Sequence, residues 1–267
     1  MTGDPFSQSA PTYDEEFSAL PRVRELRVRI VERFRRFVPP PARVLDIGCG
    51  TGEDAFLLLE AGYGVLAADP SAAMLSVARG KARSSGSEIS FAQTGADAIG
   101  SLASGGLGAA FSNFGALNCV EDIGGFFKQL ALVLPPGSRA VLVVLNRHAL
   151  WECASHCARG RVAEGFRRWR AGPVDVRLKG TVCPTWYWTP GEIRRAASGE
   201  FDREFVEGLN VVSPPPGSTA FTSRFPRLAR GLDKLDRTIG SCWPFSGWGD
   251  HVLIVLRRRG EGGGPCT

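Results

Sequence analysis

Between Arg43 and Leu145 the chain alternates short β-branched or apolar runs with helical stretches, and this alternation fixes the fold class more firmly than any other feature. The strand-like runs are Arg43–Ile47, Gly64–Asp69, Glu88–Ala92, Leu107–Asn113 and Arg139–Leu145. Glu53–Ala61, Pro70–Arg83 and Asp122–Leu134 lie among them and repeat apolar residues at helical spacing. Strands joined through helices pair in parallel, with helices covering both faces of the sheet. Arg139–Leu145 is almost continuously apolar, as a strand covered on both sides must be. In sheets of this kind ligands bind beyond the carboxyl ends of the strands, where the strand order reverses.

The flanks are written differently. Residues 1–11 are polar and rich in Gly, Pro and Ser, and predict a disordered start. Residues 12–41 predict helices: a short one to Leu20, then one on which Val23, Leu26, Ile30, Phe34 and Phe37 recur, ended by Pro39-Pro40-Pro41. Beyond residue 146 the pattern loosens. It predicts a helix over Val162–Arg170, a hairpin-like Val174–Trp188, a helix over Gly191–Ala197 capped by Thr189-Pro190, a sixth strand over Glu204–Val212, a helix over Phe225–Ile239 and a final strand over 250–257. Residues 259–267 predict a disordered tail.

Composition excludes several classes. Apolar residues make up 43% and charged residues 22%, which is enough to build a packed core. No apolar run reaches the roughly 20 residues of a membrane-spanning helix. The N-terminus lacks a basic start and apolar stretch, so a cytoplasmic protein is expected. The seven cysteines form no CxxC pair, and Cys153, His156 and Cys157 have no second ligand pair, so neither a disulfide framework nor a metal is expected. The net charge of +5 collects as arginine in Arg22–Arg36, Arg159–Arg170 and Arg257–Arg259. Such a balance suits solvated helix faces, nucleic acid or an acidic lipid surface.

The chemistry concentrates at strand ends. After the first strand the chain reads Asp46-Ile47-Gly48-Cys49-Gly50-Thr51-Gly52. Alternate glycines let the backbone turn tightly and approach a ligand closely. The spacing is GxGxG, not the GxGxxG of dinucleotide folds, and Asp46 just before it would repel a pyrophosphate. Asp69 ends the second strand, where a carboxylate can accept hydrogen bonds from both ribose hydroxyls. Gly95-Ala96-Asp97-Ala98 follows the third strand, where an acid and an amide can meet an adenine edge.

These three segments, with Asp69-Pro70-Ser71-Ala72-Ala73-Met74-Leu75 as the second, resemble the class I S-adenosylmethionine-dependent methyltransferases, in particular the type-11 small-molecule group. The similarity is strong over residues 42–145 and weaker toward both ends. It implies a Rossmann-like three-layer αβα sandwich with a seven-stranded, mostly parallel sheet whose last strand is antiparallel. It also implies a single domain over residues 12–258, with its cofactor core at 42–146 and an acceptor lid at 147–240. S-adenosylmethionine is the implied cofactor. Gly48, Cys49 and Gly50 would line its methionine part, Asp69 would hold its ribose, Met74 would pack near its adenine, and Asp97 and Ala98 would contact the adenine edge; Asp46 and Pro70 are also expected among the cofactor-binding residues. Asn113 and Phe114 would lie under the sulfonium, and Arg27 would reach the methionine carboxylate. Two departures stand out: Gly108 replaces an aspartate frequent in the fourth strand, and Ser112–Asn118 lacks the Pro-Pro-aromatic motif of nucleobase-methylating enzymes.

Methyl transfer needs alignment more than acid–base chemistry, and a base only where the acceptor carries a proton. His148, Glu152 and Tyr13 are the catalytic candidates. Trp151, Phe166, Trp169, Trp186, Tyr187 and Trp188 in the lid suit an apolar or lipid-like small-molecule acceptor. Two alternatives remain at this level: an RNA-modifying enzyme using the arginine helices, and a cofactor-binding protein without catalysis. Monomer and homodimer are both open.

Overall fold

The computed structural model describes residues 4, 6–102 and 105–260. Seven strands form one sheet in the order β3-β2-β1-β4-β5-β9-β8: β1 Arg43–Ile47, β2 Gly64–Asp69, β3 Ile89–Gln93, β4 Leu107–Ser112, β5 Arg139–Leu145, β8 Phe201–Leu209 and β9 His251–Arg258. Only β9 runs against the rest, inserted between β5 and β8. Its register sets Leu145 opposite His251 and Leu209 opposite His251, so this residue closes one end of the sheet. A separate hairpin, β6 Val174–Leu178 and β7 Thr181–Thr185, stands where the alternation of 174–188 predicts one.

Helices cover both faces. On one, α1 (Pro21–Phe37) and α2 (Glu53–Glu60) bury Leu26, Ile30, Phe34, Ala55 and Leu58. On the other, α4 (Ile123–Val133) and α7 (Pro190–Ala197) bury Phe126, Phe127, Leu130, Ile193 and Ala197. Phe34 is fully buried, its ring edge-on to Tyr63 and Phe111 at 5.1 and 5.4 Å. Helix starts follow their caps. Ser71 accepts from the Met74 amide at the head of α3 (Ala72–Ser85), and Thr189 and Glu192 form a reciprocal capping box on α7. The chain reverses between β1 and β4, where the strand order switches, and this opens a crevice at the carboxyl ends of the strands.

Several expectations need correction. Residues 6–10 form turns with Ser9 and Ala10 buried, so this stretch of the start is ordered. Leu150–Cys157 is a helix, α5, that the sequence pattern did not announce. The predicted helix over 162–170 is broken into α6 (Val162–Gly165) and a single turn Arg167–Trp169. Gly165 lies where a Cβ would meet the Cys153 carbonyl at 3.2 Å, so α6 is held against α5. The sixth strand begins at Phe201 and ends at Leu209, three residues earlier at each end than its predicted span. Residues 217–239 fold as α8 (Thr219–Arg224) and α9 (Pro226–Ile239). The predicted tail over 259–267 falls, from residue 261 on, outside the described residues.

Candidate active site

The glycine turn is tied down by β2. The amides of Gly48 and Cys49 both donate to the Ala68 carbonyl, at 2.8 and 3.1 Å. Gly48 has φ +70°, and a Cβ there would lie 2.2 Å from the Ala116 Cβ. Gly50 has φ +53° and faces open space, so its backbone presents a bare surface. The Gly50 amide donates to Asp69 Oδ2 at 2.8 Å, and the Ser71 amide to Asp69 Oδ1 at 2.8 Å. One carboxylate thereby links the first turn to the second. Burial pushes the Asp69 carboxyl up, against the pull of these two amides.

A buried ion pair forms the floor. The Arg27 guanidinium donates to Asp54 Oδ2, and Asn113 Nδ2 donates to Asp54 Oδ1 at 3.1 Å. Burial works against the charge of Arg27, but Asp54 more than offsets this and raises its pKa. The guanidinium carbon also sits 4.5 Å from the centre of the Phe114 ring. Phe114 holds a left-handed backbone, φ +47°, with its amide donating to Asn113 Oδ1 at 2.8 Å. Behind the turn, Asp46 is 1% exposed and its Oδ2 has no hydrogen-bond partner among the described residues. Burial first, then the Asp54 charge, raises its carboxyl well above the usual range.

Three cavities meet here. The first, about 140 Å³, is walled by Tyr13, Arg27, the glycine turn, Asp69, Met74 and Asn113. The second, about 380 Å³, shares Gly48, Pro70, Ala116 and Cys119 with it and extends to Gly95, Ala96 and Asp97. The third, about 460 Å³, shares Phe6, Tyr13, Phe114, Gly115 and Cys119 with the first and is lined beyond them by Phe17, Leu145, Cys183 and Tyr187. Tyr13 and Phe114 thus stand between the first and third. Burial pushes the Tyr13 hydroxyl up to about 12, with Arg27 opposing.

Residues 44–137 match the family model described as a methyltransferase domain. This stretch therefore carries a methyltransferase domain. Over 140 residues the domain is 34% identical to a demethylmenaquinone methyltransferase of Thermus thermophilus, covering 52% of this chain and 63% of that protein. Over 139 residues it is 32% identical to a ubiquinone biosynthesis O-methyltransferase of Methylocella silvestris, covering 47% and 52%. The chain therefore spans between half and two thirds of the length of these curated relatives. In fold it is similar to an S-adenosylmethionine-dependent methyltransferase of Clostridium acetobutylicum, at 14% identity and TM-score 0.60 over 96% of this chain and all of that one. A second solved structure, from Mesorhizobium loti, gives 22% identity and TM-score 0.55 over 85% and 96%.

Most residues expected at the site of this methyltransferase domain come together. Tyr13, Arg27, Gly48, Cys49, Gly50, Asp69, Pro70, Met74, Asn113 and Phe114 line the first cavity, and Asp97 lines the second. Four do not face these cavities. Asp46 lies behind the turn. The Ala98 amide, expected to meet a ligand ring, donates instead to the Gly95 carbonyl at 3.1 Å, closing its own turn. His148 stacks on Trp169, ring centres 4.6 Å apart, beside a different cavity with Trp243 and Trp248; burial lowers its pKa. Glu152 is 8% exposed and is spent on Arg168 at 2.5 Å and Arg167 at 2.8 Å. Neither lines any of the three cavities.

Other site residues were not singled out from sequence. Asp54 had a signal: with Ala55 and Leu58 it falls on the buried stripe of α2, where a carboxylate demands a partner. Asp14 accepts from Thr51 Oγ1 at 2.6 Å and from Lys81 Nζ at 2.8 Å, pinning the N-terminal segment over the turn. Phe6 had no periodic signal, since it belongs to a segment placed only by tertiary packing, whereas Tyr187, one of the lid aromatics named from sequence, lines the third cavity.

Proposed function

We propose that this chain transfers a methyl group from S-adenosylmethionine to a small, largely apolar acceptor. One observation carries the reading: the cavity on the glycine turn and the aromatic cavity under the lid hairpin share Tyr13, Phe114, Gly115 and Cys119, so a donor in one meets an acceptor in the other at the end of β4. The residues present fit the cofactor. The bare surface over Gly50 would accept a chain lying flat on it, and Asp69 and Asp97, lining the first and second cavities, would accept hydrogen bonds from the ribose and the adenine edge. When bound, the cofactor supplies a methyl group already activated by a sulfonium.

The protein's part is alignment and exclusion of water. The Phe114 face, over which Arg27 already sits, suits a cationic neighbour. Tyr13, protonated through the neutral range, donates a hydrogen bond and does not serve as base. Among the described residues of the acceptor cavity the carboxylate is Glu16, tied to Lys179 at 2.6 Å. The acceptor must therefore ionise readily or carry its own lone pair, as a hydroquinone or amine does. The quinone-pathway names of the curated relatives support trying hydroquinones first.

The test is transfer of a labelled methyl group to a panel of hydroquinones, catechols and amines of graded apolarity, with RNA alongside. Labelling of an apolar member that falls when Tyr187 is replaced by Asp is the expected result. Labelling of RNA alone would sink the acceptor reading.

A further inference from the structure

The α9 helix buries or pairs its acids and exposes its cations. Its acids turn inward: Asp233 pairs with Arg22 at 2.8 Å, and the buried Asp236 accepts from the amides of Val212 and Ser213 at 2.9 and 3.2 Å. Its cations Arg227, Arg230, Lys234 and Arg237 are exposed, and among the described residues none of the four makes an ion pair. Between these faces lie Leu228 and Leu235, two turns apart and so on one side, 53% and 46% exposed. Phe225 at the head of the helix is 45% exposed, and Trp243, four residues past its end, is 89% exposed.

Exposed leucines flanked by unpaired cations match a helix lying in a lipid headgroup region. Its apolar side chains enter the acyl boundary, and its long cations reach phosphate while their stems stay apolar. We propose that α9 docks the protein on an anionic lipid surface, with Leu228 and Leu235 inserted and Arg227, Arg230, Lys234 and Arg237 on lipid phosphates. A second copy of the chain fits this face poorly. A two-fold pairing of α9 would set arginine against arginine, because the helix's acids are already engaged inside its own protein. The arginine excess along the chain supplies further attraction. Docking is independent of the acceptor's identity.

The test is co-sedimentation of the full chain with phosphatidylcholine vesicles, with and without phosphatidylglycerol. Binding is expected only where phosphatidylglycerol is present and should weaken as salt is raised. Leu228→Asp with Leu235→Asp abolishes it. Arg227→Gln with Lys234→Gln weakens it about 25-fold, since each cation near an anionic leaflet contributes about fivefold. S-adenosylhomocysteine binding, unchanged in both variants, reports that they are folded. Three results would overturn the proposal: no pelleting with anionic vesicles, undiminished pelleting of the leucine variant, or a lipid-free dimer that Leu228→Asp breaks up.

Discussion

Gly48 and Asp46 sit two residues apart and respond to replacement in opposite directions. A methyl group at Gly48 meets Ala116 at 2.2 Å on a backbone already at φ +70°. Gly48→Ala is expected to lower the melting temperature, the backbone alone costing about 1–2 kcal/mol, and to weaken cofactor binding; calorimetry reads both. Asp46 is a buried acid whose pKa is raised by burial and by Asp54. The folded protein then holds its proton more tightly than the unfolded chain. That contribution is full below the ordinary carboxylate pKa and is lost as pH rises above it. Asp46→Asn should therefore melt higher than wild type at neutral pH, by about 2–4 °C for each kcal/mol relieved, with the gain fading toward acid pH. A lower melting point at neutral pH would contradict this. Tyr13, raised to about 12, keeps its proton across the working range. Tyr13→Phe should slow transfer without moving the pH profile. At this scale the sequence was most legible where a residue type answers a local demand: glycine at a tight turn, carboxylate at a strand end. His148 and Glu152 follow β5 along the chain but line other cavities than the one on the glycine turn. Trp169 and Arg168 claim them first.

Elements with a strong period were readable, and those defined by their partners were not. The core strands and α1 announce themselves through apolar spacing, and Phe34 between Tyr63 and Phe111 is the reason α1 lies where it does. Phe34→Ala is expected to cost about 3–5 kcal/mol in chemical denaturation. A loss under about 1 kcal/mol would mean that α1 is held chiefly by its arginines to Glu207. Residues 6–18 have no such period. They are ordered by Ser71 Oγ donating to Asp4, by Thr51 and Lys81 on Asp14, and by Lys179 on Glu16. These contacts cross long stretches of sequence, so composition suggested disorder over residues 1–11, although residues 12–20 read as a short helix. Because this segment carries Phe6 and Tyr13 over the cavity, removing residues 1–11 should leave the fold intact and speed cofactor release. Stopped-flow release of S-adenosylhomocysteine measures it; an unchanged rate would show that the segment is not a cover.

The whole molecule places its site by topology. The switch of strand order between β1 and β4 opens the crevice, and the ends of β1, β2, β3 and β4 supply Gly48, Asp69, Gly95 and Asn113 in turn. The fold is shared with solved structures of low identity, and the glycine turn and the strand-end acids are local features that the sequence itself displays. The cavity beyond Phe114 is lined by the N-terminal segment and the β6–β7 hairpin, both outside the residues 44–137 that match the methyltransferase-domain model. The central claim concerns the cofactor half, and calorimetry of S-adenosylhomocysteine with wild type and Asp69→Ala tests it most directly. One-site binding by the wild type is predicted, weakened at least about tenfold in Asp69→Ala by loss of the charge-assisted bonds that carboxylate makes. A wild-type protein that binds no S-adenosylhomocysteine would contradict it.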